Sequence, residues 1–291
     1  MDIKNINLAD YIQSGAGANG ASYDCIADNT IMLKLYNTDY PTDTISHELD
    51  VARKVYEIGV PSPKPGELVT DGERIGIRFK RIVGKRSFSR MVADEPERYD
   101  EFTREFARCC LKLHSIKCPE GMFPDAKPQF QALLDADVYL NAEQKAKASA
   151  FLKNIPDTMT ALHGDMHIGN VISTLPLGAP LSHPHDLYFI DLGYFAHGYP
   201  LLDLGMMRCM CITADEEFRS KELHIDGALA AKVWETFIDE YFHGKFTVEE
   251  ADALILPYQA LKCFLIEYNI NGFLPPHYEE LVKNVDWDSY I

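Results

Sequence analysis

No stretch of this 291-residue chain approaches the run of about eighteen apolar residues that a membrane-spanning helix needs, and Leu204-Gly205-Met206-Met207 is broken at once by Arg208. Basic residues are scarce: 28 Lys and Arg face 44 Asp and Glu, a formal charge of -16. That balance argues against an extended nucleic-acid footprint or an anionic membrane surface as the main partner. It tolerates a cationic or neutral small molecule better than an anionic one, although most such charge is solvated surface. The seven cysteines form no even, regularly spaced framework; Cys109-Cys110 are adjacent and Cys209-Met210-Cys211 is a C-x-C. This usage suits reduced thiols packed as small hydrophobes. The first residues, Met1-Asp2-Ile3-Lys4-Asn5, lack the basic start and apolar run of a secretory signal. The expected location is therefore the cytoplasm. Also missing are a G-x-x-x-x-G-K-[ST] phosphate loop, an internal repeat and any low-complexity tract.

What is present begins with an ordinary globular composition, 46% hydrophobic and 25% charged, with length enough for two lobes. Gly15, Gly17 and Gly20 form a G-x-G-x-x-G pattern. A dinucleotide-binding turn carries the same letters, but it needs a strand before the glycines and a helix after them. Here they are followed by Tyr23 to Ile26, an Asp28-Asn29 turn and the run Ile31 to Tyr36, which fits a strand-loop-strand flap over phosphates. The last run alternates, so Lys34 shares a face with Met32 and Tyr36, and Ile31, Leu33 and Leu35 share the other.

Pro41-Thr42-Asp43-Thr44 reads as a helix start, with Ile45, Leu49, Ala52 and Tyr56 at helical spacing before Gly59 and Pro61. Glu48 lies beside that stripe. Helix glutamates are ordinarily surface residues, but Glu48 on the helix following the Lys34 strand makes an ion pair with it plausible. Residues 74 to 83 read as a strand running out to Gly84. Helical patterns follow at 97 to 115, 141 to 153, 226 to 243 and 247 to 269, and Pro257 is expected to split the last into two pieces. The lobe boundary falls near Val83-Gly84, giving a lobe of residues 1–83 and a second of residues 84–291.

The chemistry concentrates in His163-Gly164-Asp165-Met166-His167-Ile168-Gly169-Asn170 and in Ile190-Asp191-Leu192-Gly193. Short apolar strands at Val171-Ile172 and Leu187-Ile190 put Asp165, Asn170 and Asp191 in loops beside one hairpin, where polar side chains converge. One aspartate to orient a hydroxyl, with an Asn and a second aspartate to hold magnesium on a triphosphate, is the donor set that phosphoryl transfer requires. A metal-dependent hydrolase is the rival. His163 and His167 have the spacing of H-E-x-x-H, but Gly164 occupies the position of the base and Gly169-Asn170 oppose a helix. His183, His185 and Asp186 lie in the long Pro-rich loop from Thr174 to Asp186, where such groups are usually exposed.

The order of these motifs resembles the H-R-D-x-x-x-x-N and D-F-G elements of protein kinases, with Gly164 in place of the arginine and Leu192 in place of the phenylalanine. No A-P-E follows, and Asp203 comes soon after Asp191, so a protein acceptor is not expected. From the glycine loop to about residue 210 the chain resembles the aminoglycoside phosphotransferase and choline kinase family of small-molecule kinases. That resemblance implies an α+β, protein-kinase-like two-lobe fold: a small N-lobe of antiparallel sheet with one main helix, and a larger, mainly helical C-lobe.

It also implies roles by position. Asp165 would be the catalytic base, Asn170 and Asp191 would bind magnesium, and Lys34 with Glu48 would set the phosphates of ATP or another nucleoside triphosphate. Gly15, Gly17 and Gly20 would cover those phosphates, and main-chain groups of Lys80, Arg81 and Ile82 would meet the base. His163 would brace the loop, and Asp203 would support it. The expected activity is γ-phosphate transfer to a hydroxyl of a small molecule: an amino alcohol, aminoglycoside, sugar or hydroxy amino acid. A catalytically silent nucleotide-binding pseudokinase would be expected to lose one of Lys34, Asp165, Asn170 or Asp191, and all four are present. For the acceptor, Trp234, Phe237, Tyr241, Phe242, Tyr258 and Tyr268 with Glu267 or Asp286 would suit an ammonium group, while the same aromatics at helical spacing equally serve as core. No sequence pattern announces an oligomer interface.

Overall fold

The computed structural model describes residues 3–17, 19–266 and 272–290. In chain order the first elements are β1 (Lys4–Asn5), β2 (Tyr11–Gly17), β3 (Gly20–Cys25), β4 (Ile31–Tyr36), α1 (Thr42–Glu57), β5 (Pro65–Thr70), β6 (Ile75–Lys80) and β7 (Arg86–Ser87). Then come α2 (Phe88–Asp94), α3 (Tyr99–Ser115), α4 (Ala126–Ala136), α5 (Ala142–Asn154), β8 (Ala161–Leu162), β9 (Val171–Ser173), β10 (Leu187–Phe189) and β11 (Ala196–His197). The rest is helical: α6 (Leu201–Arg208), α7 (Glu216–Glu222), α8 (Gly227–Tyr241), α9 (Val248–Ile266) and α10 (Pro276–Asn284). The fold is α+β, as the sequence implies.

Two compact units emerge. One comprises residues 1–86 and 172–193, the other residues 87–171 and 194–291. Where the sequence places a single boundary at Val83-Gly84, the chain passes between units after Arg86, Val171 and Gly193. The returning segment is fixed to the first unit by strand-like bonds of its own: the Phe189 amide donates to the Pro61 carbonyl at 2.8 Å.

The first unit is built on a six-stranded sheet of order β1-β5-β6-β4-β3-β2. Its neighbours run antiparallel except for β1, which pairs parallel with β5. Alternation along β4 divides the unit's apolar side chains between two clusters. Leu33 and Leu35 pack with Tyr23 and Val69, and on the other face Tyr36 packs with Leu68, Ile77 and the Ile45 and Leu49 stripe of α1. The Asp28-Asn29 turn forms as expected, with the Thr30 amide and hydroxyl both donating to the Asp28 carboxylate. Strand β6 stops at Lys80, short of the expected run to Gly84, because its neighbour β4 begins at Ile31, which lies opposite Lys80 in register.

The second unit buries Phe102, Phe106, Cys110 and Leu113 of α3, with Phe106 against Phe237 of α8 at 5.6 Å between ring centres. Helix α9 is one continuous helix through Pro257, against the expected break. Proline at 257 removes the amide that would bond the Ala253 carbonyl. That carbonyl, on an exposed residue of the helix, instead accepts the Tyr290 hydroxyl at 2.9 Å and so keeps a partner. The expected residues 267–269 of that helix lie outside the described residues.

Candidate active site

In the first unit the G-x-G-x-x-G residues form the tip of the β2–β3 hairpin, with Gly17 opposite Gly20 in register and Gly15 opposite Ser22. A side chain at Gly20 would run into the backbone of Leu35 on β4, so glycine here lets the flap lie directly on the strand that carries Lys34.

Lys34 is gripped by two carboxylates. Its Nζ donates to Glu48 Oε1 at 2.9 Å and to Asp191 Oδ1 at 2.6 Å. The α1 glutamate is largely buried, whereas half of the Asp191 side-chain surface is exposed. Burial works against the lysine's charge, but the Asp191 and Glu48 carboxylates outweigh it and hold the pKa well above the ordinary lysine value. The ammonium also lies 5.1 Å from the Tyr36 ring centre. Asp191 itself takes a left-handed conformation, φ 56°, two residues after the end of β10. Non-glycine residues seldom adopt it, and such strain concentrates at ligand sites.

The amides of Lys80 and Arg81 donate to the carbonyls of Lys64 and Thr30, at 2.8 Å each. The Arg81 side chain pairs with Asp24 at 2.7 Å. Sequence reading passed over Lys85, whose Nζ lies 3.7 Å from the sulfur of Met32, on the Lys34 face of β4. No pattern marks it.

In the second unit, residues 163–170 form an irregular loop after β8. Gly164 has φ 85°, and a Cβ there would collide with the Tyr194 carbonyl. This is why glycine stands where protein kinases carry arginine. The buried Asp203 carboxylate, delivered by α6, accepts the His163 amide at 2.7 Å, the Gly164 amide at 2.9 Å and His114 Nε2 at 3.1 Å. Burial opposes its ionisation, but the hydrogen bond from His114 and the nearby Lys262 and His163 hold its pKa below the ordinary carboxylate value. His163 is fully buried, and its Nδ1 accepts the Asp165 amide at 3.3 Å. Both residues therefore brace the loop.

Asn170 turns its amide nitrogen onto Asp165, donating to the main-chain oxygen at 2.9 Å and to carboxylate Oδ2 at 3.0 Å. The pair is fixed as one object, and the remaining amide oxygen of Asn170 is a hard donor. His167 Nδ1 accepts the Gly169 amide at 3.1 Å, and its Nε2 lies 3.9 Å from Asp165 Oδ2. Neither histidine of the H-x-x-x-H spacing sits on a helix. His185 Nδ1 is engaged by the His183 carbonyl at 2.7 Å, and among the described residues no group of three His, Cys, Asp or Glu side chains is placed to hold a metal.

Two further supports carried no sequence signal. The His114 ring joins Asp203 to the Tyr241 hydroxyl, which lies 2.7 Å from its Nδ1, and Lys262 reaches the Gly164 carbonyl at 2.6 Å. Four of the aromatics suggested for the acceptor are core: Trp234, Phe237, Tyr241 and Tyr258 are each at most 9% exposed, and Trp234, Phe237 and Tyr241 stack in sequence, while Phe242 is half-buried. Glu267 and Tyr268 lie outside the described residues.

The profile of the phosphotransferase enzyme family, APH, matches residues 12–237. The chain belongs to that family. Solved structures share the APH fold over nearly the whole chain. The gentamicin complex of APH(2")-IIa is 17% identical, with 97% of this chain and 93% of that one covered and a TM-score of 0.57. A thermostable mutant of aminoglycoside phosphotransferase APH(4)-Ia, in ternary complex with ADP and hygromycin B, is 12% identical, covers 94% and 93%, and has a TM-score of 0.59. Aminoglycoside-3'-phosphotransferase of type VIII is 17% identical, covers 88% and 94%, and has a TM-score of 0.55. Compared by sequence with curated proteins, the chain has no significant match. APH membership makes it a phosphotransferase with a protein-kinase-like fold, as its motifs imply.

Proposed function

We propose that this APH enzyme transfers the γ-phosphate of ATP, or of another nucleoside triphosphate, to a hydroxyl of a small molecule. The observation that carries the reading is the grip of Glu48 and Asp191 on Lys34, 2.9 and 2.6 Å from its Nζ. An ammonium held between two carboxylates stays protonated and is aimed, so that it can donate to a phosphate oxygen. Asp165 is then the base. Its carboxylate, oriented by Asn170, receives the acceptor hydroxyl's hydrogen bond and takes its proton as the new O–P bond forms and the bond from the γ-phosphorus to the β–γ bridging oxygen breaks, releasing nucleoside diphosphate.

Asn170 and Asp191 are the proposed magnesium ligands. The donor chemistry fits: a half-exposed carboxylate and an amide oxygen whose NH2 group is already used are hard oxygen donors, and few of them suffice because magnesium keeps waters and phosphate oxygens in its shell. When bound, the ion neutralises charge on the transferring phosphates. Gly15, Gly17 and Gly20 allow main-chain approach to those phosphates, and the Lys80 to Ile82 backbone meets the base.

The solved relatives bound to gentamicin and hygromycin B and the formal charge of -16 favour polycationic aminoglycosides as the first acceptors to test, followed by amino alcohols, sugars and hydroxy amino acids. Purified protein with magnesium and ATP or GTP is expected to release nucleoside diphosphate faster when the right acceptor is added. Asp165→Ala should lose at least about 100-fold in turnover while binding nucleotide normally. Full turnover by that variant would remove Asp165 from the role of base.

A further inference from the structure

Lys262 presents a problem in burial. It lies near the C-terminal end of α9, 2% exposed, in a helix whose neighbours at 258–266 are all buried. A lysine with no task there would be replaced at little loss by an apolar residue, since burying an ammonium is costly. Its Nζ donates to the Gly164 carbonyl at 2.6 Å and lies 5.2 Å from the centre of the Phe130 ring on α4. Burial pulls its pKa below the ordinary lysine value, and the charges of Asp203 and Asp165 oppose that fall without cancelling it.

The bonded carbonyl belongs to the peptide that leads into Asp165. On the other side of that peptide, the Asp165 amide is held by His163 Nδ1 at 3.3 Å, and the two preceding amides are held by Asp203. With φ at 85°, Gly164 has wide rotational freedom, so Asp203 alone does not fix the plane of the next peptide. We propose that Lys262 is a positioning residue for phosphoryl transfer: from α9 it clamps the Gly164–Asp165 peptide at its carbonyl and so sets where the Asp165 carboxylate points. The clamp is electrostatically strong, because a charged donor in a dry site makes a better hydrogen bond than a neutral one. It also ties the loop to α9, a helix distant in sequence.

This inference rests on the proposed role of Asp165, and the two are tested separately. Magnesium and ATP are supplied without an acceptor, ADP release to water is followed, and binding of magnesium-ADP is measured by calorimetry. Asp165→Asn tests the underlying reading, which fails if that variant keeps turnover. If Asp165→Asn is inactive, Lys262→Met tests the clamp. Its kcat should fall about 10- to 100-fold, the penalty of a misaimed reacting group, while the nucleotide KM and the magnesium-ADP Kd stay within about twofold. Lys262→Arg, which keeps charge and donors, should recover most of the loss. Amide exchange in peptides covering residues 163–170 should quicken in Lys262→Met and not in Lys262→Arg. If Lys262→Met binds nucleotide poorly, Lys262→Gln takes its place. The proposal is overturned if kcat and loop exchange are unchanged in the methionine variant, if arginine fails as badly as methionine, or if neither neutral variant binds nucleotide, which would make the lysine a folding residue only.

Discussion

Gly164 shows how one missing side chain shapes a loop. With φ 85° and the Tyr194 carbonyl where a Cβ would go, Gly164→Ala combines backbone strain with a collision. It should cost about 1–3 kcal/mol of stability, read from thermal or urea unfolding, and should lower turnover more than nucleotide affinity, because Asp165 follows directly. Equal turnover in the alanine variant would mean the loop has another conformation available. The sequence showed that arginine was absent from this position, but only φ and the Tyr194 contact explain why glycine is required. Lys34, Glu48, Asp165, Asn170 and Asp191 were legible because their order along the chain is itself a pattern. Lys262 and His114 were not, since a single lysine or histidine in a helix has no partner in sequence; Lys262 takes its meaning from Gly164, 98 residues away, and His114 from Asp203, 89 residues away.

Elements were legible where periodicity was strong. Strand β4 and helix α1 fall where alternation and helical spacing put them. Pro257 misled because the rule concerns the helix alone, while the Ala253 carbonyl it leaves unpaired is satisfied by Tyr290 from beyond α10. This gives a coupled prediction. Tyr290→Phe should destabilise the protein by about 1 kcal/mol, but in a Pro257→Ala background, where an amide returns to that carbonyl, the same change should cost little. A denaturant-based double-mutant cycle measures the coupling, and additive effects would detach Tyr290 from the proline. The aromatics of α8 likewise follow helical spacing into the core, which left the acceptor's surroundings unread.

At the scale of the whole molecule, the charge of -16 acts on association before any contact forms. For a polycationic acceptor, raising ionic strength from about 0.02 M to about 0.5 M should increase the acceptor KM severalfold with little change in kcat, because screening weakens attraction over distances beyond a few ångströms. A neutral acceptor should show no such rise. Initial-rate kinetics at the two salt concentrations separate these cases and so report the acceptor's charge class.

The return of residues 172–193 to the first unit bears on how the chain is made. Lys34 leaves the ribosome early, yet its partner Asp191 is translated 157 residues later. Because domains generally fold as units during synthesis, the first unit waits for its last segment while the helices and loops between are produced. A nascent chain arrested before Gly193 has cleared the exit tunnel therefore carries an unfinished first unit, and that interval is when it most depends on protection from aggregation.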